Sequence, residues 1–254
     1  MSASPLDRLA RLDTTTVSDA LDFLALPGAT VGLRPLWRCP RIVGRASTVQ
    51  LGPKTGSAPT VHLISPVIAS ITSEDRVLVI AGGTEGVSCW GDILANAAKA
   101  KGVRGTVIDG YSRDIEANEE IGYPVYGRGA TMVSARNRIV QRASGTPIQV
   151  AGVTVREGDF VIADRCGTVF VAQDRIEEVL DLAERIARRQ DSMVQAVRSG
   201  RSVDDVMHDK EFDARCLEER GGTHPRGNRE PPRAGLGDYR DDLAPGPARR
   251  RPRC

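Results

Sequence analysis

Apolar residues recur at helical spacing in two segments of the chain, one near its beginning and one after position 174. In the first segment, Thr16-Val17-Ser18-Asp19 resembles a capping box, and Pro27-Gly28 ends the helix that follows. The second segment begins at a cap formed by Asp174 and Glu177 and ends at Gly200. Its apolar positions share one helix face: Ile176, Val179, Leu180, Ala183, Ile186, Ala187, Val194 and Val197. This pattern predicts one long amphipathic helix.

The middle of the chain contains two consecutive strand–loop–helix units. Each unit has a short buried strand, a turn and a helix that a glycine closes. The first unit predicts a strand at 77–80, a glycine-rich loop at 82–86 and a helix over 92–101. The second predicts a strand at 106–109, a turn at 110–112 and a helix over 113–122. Consecutive units of this kind favour parallel strands and place the chain in the α/β class.

The remaining segments are short and rich in strands. Ser4-Pro5 predicts a first helix start, because proline is favoured at the first helical position. A strand is predicted near 42–49 and a buried helix over 60–70. Six further strands are predicted at 124–126, 138–142, 148–150, 153–155, 160–163 and 169–172.

Composition and charge exclude several classes of protein. The 254 residues include 35 Lys and Arg against 33 Asp and Glu, without the concentrated basic excess of a nucleic-acid binder. The longest apolar run, Val77 to Ala81, is too short for a membrane span, and the N-terminal sequence lacks the pattern of a signal peptide. We therefore expect no nucleic-acid or membrane partner and a cytoplasmic location.

The last part of the chain differs in composition from the rest. From Leu217 to Cys254 it has 9 Arg, 6 Pro and 6 Gly, and almost no large apolar residue. Such a segment cannot bury enough surface to offset its ordering entropy. The sequence therefore predicts one domain over residues 1–212 and a disordered tail over 213–254.

Cysteine and histidine patterns limit the metal chemistry. The five cysteines are an odd number with no C-x-x-C pair, and the three histidines are scattered without ligand spacing. A disulfide framework or a thiolate zinc site is therefore not expected, and a reducing compartment fits best. A metal site in this chain must rest on carboxylates, which favour a hard cation such as Mg²⁺ or Mn²⁺.

Polar residues follow both strands of the two central units. Because ligands bind outside the carboxyl ends of parallel strands, these segments are expected to face one crevice. The first amides of the helix, at Ile93 and Leu94, can hold an anion, and Arg113 can bind a carboxylate through two hydrogen bonds. Asp114 can ligate a hard cation, and Asp92 can orient a water on that cation. Together these groups suit a small 2-oxoacid.

Structural explanations compete with this site. An Arg-Asp pair at a helix start is more often a capping acid beside a solvated arginine. The loop Gly82 to Gly86 lacks the motif of a nucleotide-binding loop, so a close-packed turn is preferred. Cys89 and Trp90 are expected to pack, and Cys166 is assigned to the core because no histidine is within reach by sequence.

The central motifs resemble the signature of the RraA-like proteins, a family that includes metal-dependent 4-hydroxy-4-methyl-2-oxoglutarate/4-carboxy-4-hydroxy-2-oxoadipate aldolases. The resemblance covers roughly residues 6 to 208, and its most specific feature is the combination of two linked segments. Those segments are Gly91-Asp92-Ile93-Leu94-Ala95 and Asp109-Gly110-x-x-Arg113-Asp114. Supporting matches are TTTVSDALDFLAL from Thr14, Leu33-Arg34-Pro35-Leu36, Val43-Gly44-Arg45-Ala46 and Gly158-Asp159-x-Val161-x-Ala163-Asp164 with Gly167.

The resemblance implies a swivelling β/β/α fold, similar to phosphohistidine domains, assembled as a homotrimer or a homohexamer with active sites at subunit boundaries. By position, Gly91, Asp92, Ile93 and Leu94 bind substrate, and Arg113 joins them. Asp114 becomes the ligand of Mg²⁺ or Mn²⁺, and Asp92 an acid acting through a water on the metal. The family's aldolases also take a glutamate from a neighbouring subunit, for which Glu184 is the candidate here.

The implied reaction cleaves a 4-hydroxy-2-oxoacid to pyruvate, with oxaloacetate decarboxylation as a side activity. A Schiff-base aldolase would need a lysine in the crevice, and the sequence places none of Lys54, Lys99, Lys101 and Lys210 there. One alternative is a non-catalytic regulator of the RNase E type. The regulators of that type lack the acid after the arginine, so the presence of Asp114 favours an enzyme. A methyltransferase is a weaker alternative, since the chain has no convincing S-adenosylmethionine loop.

Overall fold

A computed structural model describes residues 3–56 and 63–208 of the chain. The described helices are α1 Pro5–Leu9, α2 Thr14–Phe23, α3 Ser65–Ser70, α4 Asp92–Ala100, α5 Ile115–Glu120, α6 Ile176–Arg198 and α7 Val203–Met207. The strands are β1 Arg34–Pro35, β2 Ile42–Pro53, β3 Arg76–Ala81, β4 Ser88–Trp90, β5 Thr106–Ser112, β6 Val125–Ala130, β7 Ile139–Ser144, β8 Ile148–Val150, β9 Val153–Val155, β10 Phe160–Ala163 and β11 Thr168–Val171. The predicted tail, 213–254, lies outside the described residues.

Nine of the described strands form one mixed sheet. Its main path runs β1-β6-β5-β3-β2-β10-β11, with β4 paired to β5 and β7 paired to β2. Strands β2, β3, β5 and β6 are parallel, as the strand–loop–helix pattern predicts, while β1, β7, β10 and β11 are added antiparallel. The parallel strands place the ends of β3 and β5 side by side, which is the arrangement that the expected crevice requires.

Alternation along β3 divides the core. Leu78 and Ile80 pack with α3 and α4, whereas Val77, Val79 and Ala81 pack with the separate β8–β9 hairpin. Successive side chains of a strand point to opposite faces, so a strand buried on both faces must be apolar throughout, as this one is. A third apolar cluster joins α1, α2 and α6 to strands β10 and β11. In the part of the chain that the structure describes, no helix is long and apolar enough to cross a membrane.

Two predicted turns have different outcomes. Gly110-Tyr111-Ser112 was expected to turn the chain, but β5 continues to Ser112 because β4 and β6 both pair with its end. The turn at Gly82 is close-packed as expected: its φ is +77°, and a Cβ there would lie 2.0 Å from the carbonyl oxygen of Leu51. The local sequence is enough to predict the turn at Gly82. The extended backbone at 110–112 depends instead on the strands that pair with it.

The caps predicted at Thr16 and at Asp174 are both wrong. Helix α2 begins two residues before Thr16 because Asp13 is its N-cap, and the Asp13 carboxylate accepts the Thr16 amide at 2.7 Å. Helix α6 follows a 3₁₀ turn at Gln173–Arg175 and has no side-chain cap, so Asp174 and Glu177 do not form one. The helix start predicted at Ser4-Pro5 is confirmed by a complete capping box. Of the buried helix predicted at 60–70, residues 65–70 are helical and 57–62 lie outside the described residues.

One arginine connects the short first helix, α1, to the long helix α6. Arg8 of α1 donates to both carboxylate oxygens of Glu184, at 2.7 and 2.9 Å, and also to Glu177 and Asp181. These acids lie at helical spacing on one face of α6. The hydrogen bond from Arg8 lowers the pKa of Glu184 below its usual range. The charged form of Glu184 is therefore favoured in the folded state.

Replacing Arg8 with Met should lower the free energy of unfolding by about 1–2 kcal/mol at neutral pH. Because the pKa of Glu184 is lowered by folding, this contribution is present above the ordinary pKa of a glutamate and is lost as the pH falls through the lower folded value. Urea denaturation between about pH 7 and about pH 3 measures it. Arg11→Met, the same charge change at an exposed position, is the control. A loss for Arg8→Met that is equal at both ends of the pH range contradicts the ion pair.

Candidate active site

Pairing of two strands brings the two motifs of the sequence together. Strand β4, which the sequence did not predict, runs parallel to the end of β5 with Trp90 opposite Ser112. The amide of Arg113 donates to the Trp90 carbonyl at 3.0 Å. The residues that follow the two strands, Gly91 and Arg113, therefore start from adjacent points.

Asp114 does not cap the helix that it precedes. It occupies the N-cap position of α5 in the left-handed conformation, with φ 55° and ψ 46°, and its side chain makes no capping hydrogen bond. Instead, Asp114 Oδ2 accepts a hydrogen bond from the amide of Asp92 at 3.2 Å and forms an ion pair with Arg113 Nε at 3.2 Å. A left-handed conformation costs an L-residue about 1 kcal/mol, so the surrounding structure holds the carboxylate in this place. The capping explanation for the Arg-Asp pair is therefore wrong.

Gly91 provides the space for this approach. A Cβ at position 91 would lie 2.6 Å from Asp114 Oδ2 and 3.2 Å from Arg113 Nε. Any side chain here would displace the carboxylate from the start of α4. The glycine is therefore required by close packing, since its φ of −167° is open to every residue.

Asn118 supports the Arg113–Asp114 turn from inside the protein. No local pattern in the sequence indicates this role for Asn118. It is fully buried, and its Nδ2 donates to the carbonyl of Asp114 at 2.7 Å and to that of Arg113 at 3.3 Å. The Asn118 amide also donates to the Asp114 carbonyl. A buried amide that serves two consecutive carbonyls fixes the direction of the Arg113–Asp114 peptide.

A cavity of about 580 Å³ opens beside this turn. Five of the six predicted site residues line it, and the sixth, Asp114, contacts two of them. The lining residues are Lys54, Leu63, Ser88, Cys89, Trp90, Gly91, Asp92, Ile93, Leu94, Arg113, Ser134, Ala135, Arg136, Asn137, Ile139 and Val140. The volume is sufficient for a small organic acid.

The helix start differs in one respect from the prediction. The amide of Ile93 already donates to Asp92 Oδ1 at 2.7 Å, so it is not open to a ligand in this conformation. The Ile93 side chain is 76% exposed, and Leu94 is buried. Two amides were predicted to hold an anion. Among the described hydrogen bonds, only the Leu94 amide has no acceptor and can take this role.

Assembly into a trimer or hexamer stays a prediction.

The cavity wall near the sheet is apolar and chemically inert. Trp90 stacks on Tyr123 with ring centroids 5.9 Å apart, and both are buried, as is Cys89. Burial raises the pKa of the Cys89 thiol to about 12, so this cysteine is protonated at neutral pH and is a poor nucleophile. The prediction that Cys89 and Trp90 pack is confirmed. Cys166, assigned to the core, is exposed instead, because it lies in the turn between β10 and β11.

The lining of the cavity includes Lys54, a lysine that was not expected in the crevice from the sequence. Lys54 follows β2, and its backbone amide donates to the carbonyl of Arg138 at 2.8 Å. This pairing of β2 with the segment before β7 brings Lys54 beside Asn137 and into the cavity lining. Lys54 precedes the first motif by 37 positions and the second by 55, so no local signal could reveal its position.

The donors at the site fit a hard cation held mainly by substrate and water. No group of three His, Cys, Asp or Glu side chains within the described ranges could enclose a metal. Two carboxylates are present: Asp92 lines the cavity, and Asp114 has one oxygen, Oδ1, that accepts no hydrogen bond from the described residues. Mg²⁺ is commonly bound by one or two carboxylates, with waters and substrate oxygens as the other ligands.

Glu184 contacts its own chain. Its carboxylate is paired with Arg8, which opposes the suggestion that it reaches the site of a neighbouring subunit. No second candidate for that role follows from the sequence.

Replacing Asn118 with Ala should lower the free energy of unfolding by about 1–3 kcal/mol, because two backbone carbonyls lose a buried donor. The substitution should also loosen the Arg113–Asp114 turn, which hydrogen exchange at these amides would detect. Glu119→Ala, on the exposed face of the same helix, controls for a change of helix propensity. Unchanged stability and exchange in Asn118→Ala would contradict a positioning role.

Comparisons with known proteins agree with this architecture. The Legionella pneumophila protein DlpA is 28% identical over 204 residues, which is 80% of this chain but 33% of DlpA. This chain thus spans about a third of the length of that relative. A Halalkalibacterium halodurans protein, named as a candidate 4-hydroxy-4-methyl-2-oxoglutarate aldolase, is 29% identical over 188 residues, covering 73% of this chain and 86% of that protein.

A solved structure extends the agreement to the fold. An uncharacterised protein from Pseudomonas syringae superposes with a TM-score of 0.71 at 33% identity, covering 82% of this chain and 98% of the other. The α/β fold expected from the sequence resemblance is confirmed by the mixed sheet and by the family to which the chain is assigned. The model of the RraA-like family, described as Aldolase/RraA, matches residues 14–170, more than half of the sequence, and the chain therefore belongs to the RraA-like family.

Proposed function

We propose that the protein is a divalent-metal-dependent aldolase that cleaves 4-hydroxy-2-oxoacids, such as 4-hydroxy-4-methyl-2-oxoglutarate, to pyruvate. The observation that carries the proposal is the Asp114 carboxylate, turned away from its own helix and held against the start of α4 beside Arg113 and the cavity. The names of several relatives as candidate aldolases of this substrate support it at modest identity.

Asp114 is the residue that would hold Mg²⁺ or Mn²⁺, and Asp92 would contact a water on that cation. When bound, the cation would supply Lewis-acid polarisation of the C1 and C2 oxygens of a 2-oxoacid. Asp114 Oδ1 is the free carboxylate oxygen, while Oδ2 is fixed by Arg113 and the Asp92 amide. The hydrogen bond and the ion pair on Oδ2 orient the carboxylate, so its free oxygen has one defined direction.

Arg113 and the start of α4 bind and orient the 2-oxoacid. The Arg113 side chain is 41% exposed and lines the cavity, so its guanidinium can reach a carboxylate there. Its Nε contacts Asp114, which leaves the two terminal nitrogens to donate to the substrate. The Leu94 amide and the helix dipole add positive potential at the same point.

Asp92 is the carboxylate in the cavity that can move a proton. In the cleavage, the C4 hydroxyl loses its proton, the C4–O bond becomes a carbonyl, and the C3–C4 bond breaks. The electron pair of that bond remains on C3 as pyruvate enolate, which takes up a proton at C3. Asp92 Oδ1 is occupied by the Ile93 amide, so Oδ2 is the atom that accepts the hydroxyl proton.

Loss of CO₂ from oxaloacetate leaves the same enolate. Both reactions break a C3–C4 bond and place negative charge on the C2 oxygen of pyruvate. Interactions that are stronger in the transition state than in the ground state accelerate both. We therefore propose oxaloacetate decarboxylation as a side activity of the site.

Asp114→Asn should lower kcat/KM for release of pyruvate from 4-hydroxy-4-methyl-2-oxoglutarate about a hundredfold or more, because the charge that binds the cation is removed while shape is kept. Arg113→Lys should raise KM, because lysine cannot copy the forked contact with a carboxylate. Glu119→Gln removes one exposed carboxylate of α5 and is the matched control. Near-normal activity of Asp114→Asn would show that the site assignment is wrong.

Purified protein with Mg²⁺ or Mn²⁺ should release pyruvate from oxaloacetate faster than the same metal without protein. Removal of metal with a chelator should abolish the difference, and addition of either metal should restore it. The free-metal reaction is the necessary control, since divalent ions catalyse this decarboxylation slowly. A rate equal to that of the free metal and of Asp114→Asn would favour the non-catalytic RNase-E-type regulator.

A further inference from the structure

The residues that line the cavity fall into two groups of different chemistry, which we call its two walls. One wall contains the start of α4 with Asp92 and Arg113, the groups that the proposed reaction uses. The other wall contains Lys54 and the segment from Ser134 to Asn137. A ligand anchored at Arg113 through its C1 carboxylate would lie in the same cavity as this second wall.

Positive charge on the second wall is not balanced. The described residues lining the cavity include three cations, Lys54, Arg113 and Arg136, and one carboxylate, Asp92. Arg113 pairs with Asp114, but no carboxylate in residues 3–56 and 63–208 forms an ion pair with Lys54 or Arg136. A partly buried cation without a counter-ion is a site for an anion.

Lys54 is the better placed of the two cations. It is half-buried, whereas Arg136 is exposed. Its backbone is fixed by the hydrogen bond to Arg138 at the end of β2, and its Nζ lies 3.4 Å from Asn137 Oδ1. One acceptor leaves the other donors of the ammonium group open to a ligand.

We propose that Lys54 binds the second carboxylate of a dicarboxylic substrate, the one attached to C4. This inference rests on the proposed function, because it takes the C1 carboxylate to be bound at Arg113. Lys54 then selects substrates at C4, while Arg113 and the start of α4 recognise the 2-oxoacid end that all such substrates share. Asn137 is a positioning residue that directs the Lys54 ammonium group.

A different role for Lys54 predicts a different product. As a Schiff-base nucleophile, Lys54 would form a bond from Nζ to C2 of pyruvate, with loss of water, and borohydride would reduce that imine to a stable adduct. As a carboxylate-binding residue, it forms no covalent bond. Mass spectrometry after incubation with pyruvate and borohydride should find no mass increase on Lys54, and an adduct would overturn the proposal.

The test compares two substrates that differ only at C4. 4-Hydroxy-2-oxoglutarate has a carboxylate there, and 4-hydroxy-2-oxopentanoate has a methyl group. Lys54→Met should raise KM for the first about tenfold or more and change KM for the second less, so that the preference for the dicarboxylate falls. Lys54→Arg, which keeps the charge, should retain part of the preference. Lys101→Met, the same charge change on the exposed end of α4, should leave the preference unchanged.

A binding measurement separates this proposal from the proposed function. Titration calorimetry with Mg²⁺ present compares 2-oxoglutarate with 2-oxopentanoate, and needs no turnover. Wild-type protein should bind the dicarboxylate more tightly, and Lys54→Met should remove about tenfold or more of that difference. An unchanged difference in Lys54→Met overturns the role of Lys54 even where pyruvate is released. A Lys54-dependent difference without pyruvate release supports the subsite and counts against the aldolase.

Discussion

The candidate site depends on one hydrogen bond, from the amide of Asp92 to the carboxylate of Asp114. It joins the start of α4 to the turn before α5, and it requires an aspartate in a left-handed conformation. Such a conformation is maintained only when other contacts exceed its cost, and here they are the Arg113 contact and the two carbonyls held by Asn118. A carboxylate fixed in this way is oriented before any ligand arrives, which in the proposed function lowers the cost of binding the cation.

The same interaction explains why the two motifs must occur together. Gly91 is needed because a side chain there would collide with Asp114, and Arg113 is positioned because its amide is tied to the strand that precedes Gly91. Neither motif alone makes a site. Their parallel pairing in one sheet converts two short sequences, separated by about twenty residues, into one wall of a cavity.

Sequence reasoning could predict the features that depend on local pattern. It identified the parallel core, the close-packed turn at Gly82, five residues that line the cavity, and Asp114 beside them. It failed where neighbouring elements decide, as at the end of β5, which stays extended because two strands pair with it. Lys54 and Asn118 were missed for the same reason: a lysine after a strand and an asparagine in a short helix have many ordinary roles, and only tertiary contacts distinguish these two.

The division of labour between the two walls has a physical basis. The wall at Arg113 and Asp114 is held by several hydrogen bonds, because the Arg113 amide donates to Trp90 and the carbonyls of Arg113 and Asp114 accept from Asn118. The wall at Lys54 ends in a flexible side chain with one weak contact to Asn137. Bond breaking needs fixed geometry around C2, whereas discrimination at C4 needs only a charge of the correct sign within reach. A chain can therefore change the substrate it accepts by altering the second wall while the first wall, and the reaction it supports, stay the same.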